Sequence, residues 1–567
     1  MKRTPFLAHL FAALFFAALL AQTHTTCAAQ IYKNAPTRKE DQCLVAGVVV
    51  KLAGSEPLNK VYVRLQNADD RTRSVTVVTD TSGHFVLPGI DPGRYNLSAT
   101  RLNYVTAEYG QRKPEGPGAI LTLRAGQRMT DLVFRMIPSA VIAGHITDED
   151  GEPLPRVRVS AQRESYEKGK RKLTPSASAE TDDLGGYRLY GLPPGRYFVS
   201  AVYTSWAQEG FEFGGGDETP QSQGYAKLYY PGVPEAFKAS AITVKSGEEI
   251  SSTDMLMRQV AVFAVRGHVY NMITQKPGTG SFILLMPRGD NGDFDSGYQR
   301  RVDKPDGTFT IPDVVPGSYS FAAAYIDDGK VYATNFPVEV GNADVEGVSA
   351  TITQGVTIGG QIVWEGKPSL EKDDLYVSPR LLDDQLSFGN RIRVNQTYTF
   401  ALKDMGEGTY HLDLEGLGKD CYVKDMQFGQ SSVIDDGFTV ARSNNGSLQV
   451  IVSSRGARIQ GSVVDQDGLP AAGVFTVLIP SDKAQRSKWR LYKQQNTDQY
   501  GRFDLRGVAA GDYLLLSWDE VEEGAWGDPE FLKPFEKKAE KISIQDGDAK
   551  TVNLISIRTG SAEQPKE

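Results

Sequence analysis

One string recurs along the chain and limits what it can fold into. Thr79-Asp80-Thr81-Ser82-Gly83-His84-Phe85 leads through Gly89 to Pro92-Gly93-Arg94-Tyr95. The string returns as Thr181-Asp182 with Gly185 and Pro194-Gly195-Arg196-Tyr197, and again from Asp303 through Gly307 to Pro316-Gly317-Ser318-Tyr319. A further copy runs from Thr497-Asp498 through Gly501 and Gly507-Val508 to Gly511-Asp512-Tyr513. A repeat of this length is a whole module, so the chain reads as an array of one small domain.

Each module opens on a glycine and a short β-branched run, at Gly47, Gly144, Gly267, Gly360 and Gly461. From there to the glycine of the turn is 36, 41, 40 and 40 residues in copies one, two, three and five. Successive openings lie 97, 123, 93 and 101 residues apart, the size of one β-sandwich. Val61-Tyr62-Val63-Arg64-Leu65 and Val157-Arg158-Val159-Ser160-Ala161 alternate as half-buried strands do. Asp148-Glu149-Asp150-Gly151 and Asp465-Gln466-Asp467-Gly468 suit tight hairpins. The Pro-Gly-x-Tyr element reads as a corner, its ring packed inward and its hydroxyl on the backbone. Copy four keeps Gly360, the strand around Phe400 and Gly408-Thr409-Tyr410, and loses the Asp-x-x-Gly turn.

The pattern therefore predicts an all-β chain of about five tandem immunoglobulin-like or prealbumin-like sandwiches. Their expected limits are 43–137, 139–258 with an aromatic insertion, 260–353, a degenerate 355–455, and 457–557, with a polar tail over 558–567. Residues 1–29 read as a signal peptide: Lys2 and Arg3, an apolar run from Phe6 to Leu20, then Cys27-Ala28-Ala29. The run is shorter than the ~20 residues a membrane-spanning helix needs, and no later stretch is longer. The expected location is extracytoplasmic (periplasmic, cell-surface or secreted), with no transmembrane span after cleavage.

Formal charge is -8, and -10 without Lys2 and Arg3, which excludes a phosphate-tracking nucleic-acid binder. His84, His145, His268 and His411 show no metal-ligand spacing, and no nucleophile elbow or phosphate loop occurs. No catalytic residue, metal or cofactor is therefore expected, and the chain reads as a non-enzyme. Cys43 and Cys421 remain after cleavage, either as one disulfide or as two separate thiols.

Two segments break the repeat. One, from Tyr203 to Gly232, carries Trp206, Tyr225, Tyr229 and Tyr230; the other, from Trp518 to Phe531, carries Trp518 and Trp526 beside several carboxylates. Aromatic faces beside carboxylates suit sugar rings, so these six are the candidate ligand-binding residues. The same rings could instead plug junctions between modules as small cores.

The signature resembles that of the carboxypeptidase regulatory-like domain. The resemblance covers copies one, two, three and five well and copy four poorly. It implies a transthyretin-like sandwich of about seven strands, grouped with carbohydrate-binding-like folds. Glu108-Tyr109-Gly110-Gln111-Arg112, Tyr229-Tyr230-Pro231-Gly232 and Asp528-Pro529-Glu530-Phe531-Leu532-Lys533-Pro534 are similar to strings in exported bacterial proteins built only from such modules. In metallocarboxypeptidases the domain follows a zinc peptidase domain that has no counterpart here, so no catalytic residue carries over. The implied function is a non-catalytic binding protein for a polysaccharide or cell-envelope protein; the other open reading is a structural spacer or assembly protein of the envelope.

Overall fold

The computed structural model describes residues 38–203, 223–288, 297–328, 330–371, 374–382, 391–441 and 446–559. The expected signal peptide, Trp206 and most of the polar tail lie outside them. Five β-sandwiches follow one another, each built on the same two-sheet plan. In the first, Cys43–Lys51 lies at the centre of a three-stranded sheet, antiparallel to His84–Ile90 and parallel to Arg128–Met136. The facing sheet orders Ser74–Val78, Tyr62–Asn67 and Gly93–Thr100, with Ala107–Glu108 and Leu121–Leu123 along the last. The opening strands Ala140–Thr147, Phe263–Asn271, Val356–Glu365 and Ala457–Val464 hold the equivalent place in the other four. Each sandwich encloses its own apolar core, as alternating strands with one inward face require.

The opening glycine has a steric cause. The register between the first and last strands slips just before Gly47 and Gly267, and a carbonyl of the last strand then presses on the glycine. A Cβ would sit 2.1 Å from Leu132 O at Gly47, 2.3 Å from Thr253 O at Gly144, 1.9 Å from Val348 O at Gly267 and 1.7 Å from Val552 O at Gly461. Only a residue without a side chain allows that approach.

The tyrosine corner forms in every copy. Tyr95, Tyr197, Tyr319, Tyr410 and Tyr513 each donate the phenol hydrogen to the carbonyl four residues earlier, at 2.6–3.1 Å. The bond closes the loop between the two sheets and leaves the ring against the core. The signature turn also survives in copy four, in disguise. Asp80 and Asp498 accept from the backbone N–H groups two and four residues on, and Asn395 does the same from Thr397 and Thr399. Tyr398, at φ 60°, stands where the other copies place glycine, held by an edge contact with Trp364. The turn thus persists without its sequence mark.

The sandwiches do not extend as an open string. The long hairpin of Val157–Glu167 and Lys170–Glu180 in the second reaches the fifth, where a Cβ on Gly169 would meet the Gly527 backbone at 2.3 Å. Arg506 clasps Asp420 through two 2.8 Å bonds, joining the fifth sandwich to the fourth. The fifth also docks on the first, so the array closes on itself.

Cys43 and Cys421 are free and buried, in the cores of the first and fourth sandwiches. The disulfide considered from sequence is therefore not formed. Cys43 Sγ donates to Arg124 O at 3.0 Å and Cys421 Sγ to Ser369 O at 3.6 Å, and burial pushes both thiols above the ordinary cysteine range. Alkylation of the unfolded, unreduced chain is expected to label both cysteine peptides; a linked, unlabelled pair would contradict the structure.

Candidate functional site

The candidate aromatic loops turn inward where the structure describes them. Trp518 and Trp526 are 0% and 1% exposed, stacked at 6.4 Å, with Phe475 and Phe535 around them. They fill a second core on the outer face of the fifth sandwich, and Tyr166 of the second-sandwich hairpin packs against it. The expectation that these two rings face a ligand is corrected: covering an apolar sheet face buries both indoles completely. Tyr229 is buried as well, and Tyr225 and Tyr230 are half-buried against the core of the second sandwich. Tyr225 meets Tyr203 edge-on at 5.2 Å. None of these rings forms an open stacking platform, and Trp206 lies outside the described residues.

A concave site lies elsewhere, between the first and fifth sandwiches. Its geometry starts from the signature turn of the last copy. Asp498 Oδ1 accepts from the N–H groups of Tyr500 and Arg502, which fixes the turn. That turn leans on Leu121–Leu123: Ile120 bridges Asp498, and the Gln499 amide donates to Thr122 O at 2.8 Å while accepting from Thr122 N at 2.9 Å. Arg112 Nε reaches Ala472 O at 3.3 Å, and Lys113 pairs with Glu522 at 2.7 Å. These contacts hold two module surfaces apart at one side and leave a cleft.

The cleft has two adjoining lobes of about 440 Å³ each, both touching Arg94, Ile120, Gln495, Asn496 and Asp504. One lobe rests on the outward face of the fifth sandwich, with Gln460, Ser462 and Thr551. The other runs between Asp69, Arg71 and Asn96 of the first and Lys493 and Arg506 of the fifth. Each volume falls in the range of small-ligand sites, roughly 300–1,000 Å³. Most lining residues are polar or charged, with many side-chain amides and hydroxyls that both donate and accept, while the surface open in the lobe on the fifth sandwich is largely apolar.

The carboxylates there are already engaged. Asp504 takes two bonds from Arg458, at 2.6 and 3.1 Å. Asp69 lies 2.7 Å from Lys419 and 3.6 Å from Arg94, and Glu523 accepts from Gln494 at 2.6 Å. Lys493 and Arg71, by contrast, make no ion pair among the described residues. Burial pushes the Lys493 ammonium below the usual lysine range. Asn496 donates to Gly118 O at 3.5 Å, while its Oδ1 is buried with no hydrogen-bond partner.

Sequence reasoning missed this site because Thr122 and Gln499 are 377 positions apart. One signal was present: Lys493–Asn496 is a strand with no apolar position, so neither face is given over to a core. Among the described residues no group of three or more His, Cys, Asp or Glu could hold a metal ion. No helix among them is long and apolar enough to cross a membrane.

These features define a class: a multi-sandwich β-chain with a cleft between modules. Two segments, 45–136 and 141–221, match the carboxypeptidase regulatory-like domain; they span the first sandwich and most of the second. No curated protein matches it. Among solved structures it is similar to the Bacillus anthracis TIE protein, at 14% identity and TM-score 0.16, over 55% of this chain and 50% of that one. It thus spans about half the length of that protein. GBS52, the minor pilin of Streptococcus agalactiae, is 13% identical with TM-score 0.21 over 38% of this chain and 96% of that one. A streptococcal ancillary pilin is 10% identical with TM-score 0.18 over 55% and 99%. Overlaps of this size carry no argument about what the chain does.

Proposed function

We propose that the chain is a non-catalytic, extracytoplasmic binding protein that engages a polysaccharide of the cell envelope through the cleft between its first and fifth sandwiches. The observation that carries this reading is the cleft itself: two modules far apart in sequence are held together around a groove of ligand size lined by amide and hydroxyl side chains. Amide and hydroxyl linings match sugar hydroxyls, which also donate and accept. The Asp-rich hairpins at Asp148 and Asp465 lie outside the cleft, and their carboxylates hold their own backbone N–H groups.

The second reading, a structural spacer or assembly protein with no small-molecule ligand, is favoured by one observation. The aromatic segment of the fifth sandwich is spent on packing, part of it against the second.

Retention of the purified chain on a panel of insoluble and soluble polysaccharides separates the two. A Gln460→Ala/Asn496→Ala variant is expected to lose the retention shown by wild type, while Trp206→Ala keeps it. No retention by any glycan, with the protein folded, rejects the binding reading and leaves the spacer. Loss only in Trp206→Ala places the site in the second-sandwich insertion and removes the cleft from the account.

A further inference from the structure

The charges of the cleft carry more than its shape. The chain as a whole is acidic, with 70 Asp and Glu against 62 Lys and Arg. Carboxylates are thus the commoner charge and the cheaper partner for any cation. Asp69, Asp498, Asp504 and Glu523, the acidic side chains of the cleft, all have partners within the protein. Arg94, Arg458 and Arg506 are paired too. That leaves Lys493, in the strand that borders the cleft, Arg71 on the opposite wall and Arg502, which lies over the Tyr500 ring, with no carboxylate partner among the described residues. Lys493 pairs across the sheet with Leu478, a core residue, and is itself only partly exposed. A desolvated ammonium without an anion is costly, and the cost is recovered when an anion arrives.

We infer that the cleft selects a carboxylate-bearing polysaccharide of the uronic-acid type, with Lys493 receiving the carboxylate and Arg71 supporting it from the opposite wall. The inference rests on the polysaccharide reading and adds the ligand's charge. An acidic peptide would share the carboxylate. It lacks the hydroxyls that the amide-rich lining matches.

Titration calorimetry of the purified chain tests this with three probes: an oligogalacturonate, the same oligosaccharide with its carboxyls reduced to alcohols, and polyglutamate. Wild type is expected to bind the oligogalacturonate about tenfold or more tightly than the reduced sugar, the scale of one charge-assisted hydrogen bond. Its affinity should fall with added salt. Lys493→Met keeps the stem, should fold at least as stably because a desolvated charge is gone, and should bring the two affinities together. Arg71→Ala, on an exposed loop, gives an independent and smaller reduction in the same ratio. Equal binding of charged and reduced sugars by wild type overturns the inference and leaves the polysaccharide reading standing. Unchanged selectivity in a folded Lys493→Met chain overturns the assignment of Lys493. Tighter binding of polyglutamate than of either sugar overturns the glycan class. No binding of either sugar, with no retention on the wider panel, overturns the parent reading as well.

Discussion

Gly461→Ala is expected to destabilise the fifth sandwich by about 3 kcal/mol or more, beyond the usual cost of an added methyl group in a core. The new Cβ would lie 1.7 Å from Val552 O and 3.1 Å from the Phe503 ring. The carbonyl belongs to a strand paired along its length with Ala457–Val464, so it cannot retreat without breaking the parallel ladder. Denaturant unfolding followed by tryptophan emission measures the loss, since Trp518 and Trp526 sit on this sandwich. Gly360→Ala is the internal comparison. There the Cβ would meet the Phe400 ring at 2.1 Å, and a side chain can rotate where a backbone cannot, so the penalty should be smaller. Equal and small effects at both positions would refute the steric account of the opening glycine.

Trp526→Ala is expected to cost about 3–5 kcal/mol, the range for emptying a large aromatic from a core. Its ring lies 5.2 Å from Phe475 and stacks on Trp518, both part of the core on the outer face of the fifth sandwich. Differential scanning calorimetry would read the loss. At a temperature where the variant remains folded, its affinity for a retained polysaccharide should equal that of wild type. A variant of native stability that fails to bind would restore Trp526 as a ligand residue and defeat the packing account.

Much of the fold is written locally. The opening glycine, the alternating strands and the Pro-Gly-x-Tyr corner are each set within one module, and a repeat shows them several times over. Copy four shows how far such reading goes. Its corner was visible in Gly408-Thr409-Tyr410, while its turn was not, because Asn395 can cap a loop as aspartate does and Tyr398 can adopt a positive φ when a ring contact holds it. The aromatic segments were legible as exceptions to the repeat and silent on direction. Whether Trp526 faces water depends on a sheet face 51 positions away, at Phe475, and on Tyr166 in another sandwich. The cleft was beyond local reading altogether, since its walls come from the first and fifth modules and neither repeats a motif for the other.

The closure of the first sandwich on the fifth also has a history in time. Thr122 waits for Gln499, 377 residues later. At a synthesis rate of ~5–20 residues per second, that is roughly 20–80 s during which the first module exists without its partner. Its own core can form at once, because every strand it needs lies within residues 43–136. Its groove cannot. The wall facing Arg94 and Asn96 is the last part of the structure to be made, so the cleft exists only in chains that have been completed and have closed. A chain cut short after the fourth sandwich would keep four cores and a folded appearance while losing the whole far wall of the cleft, which makes ligand capture a test of completeness as well as of folding.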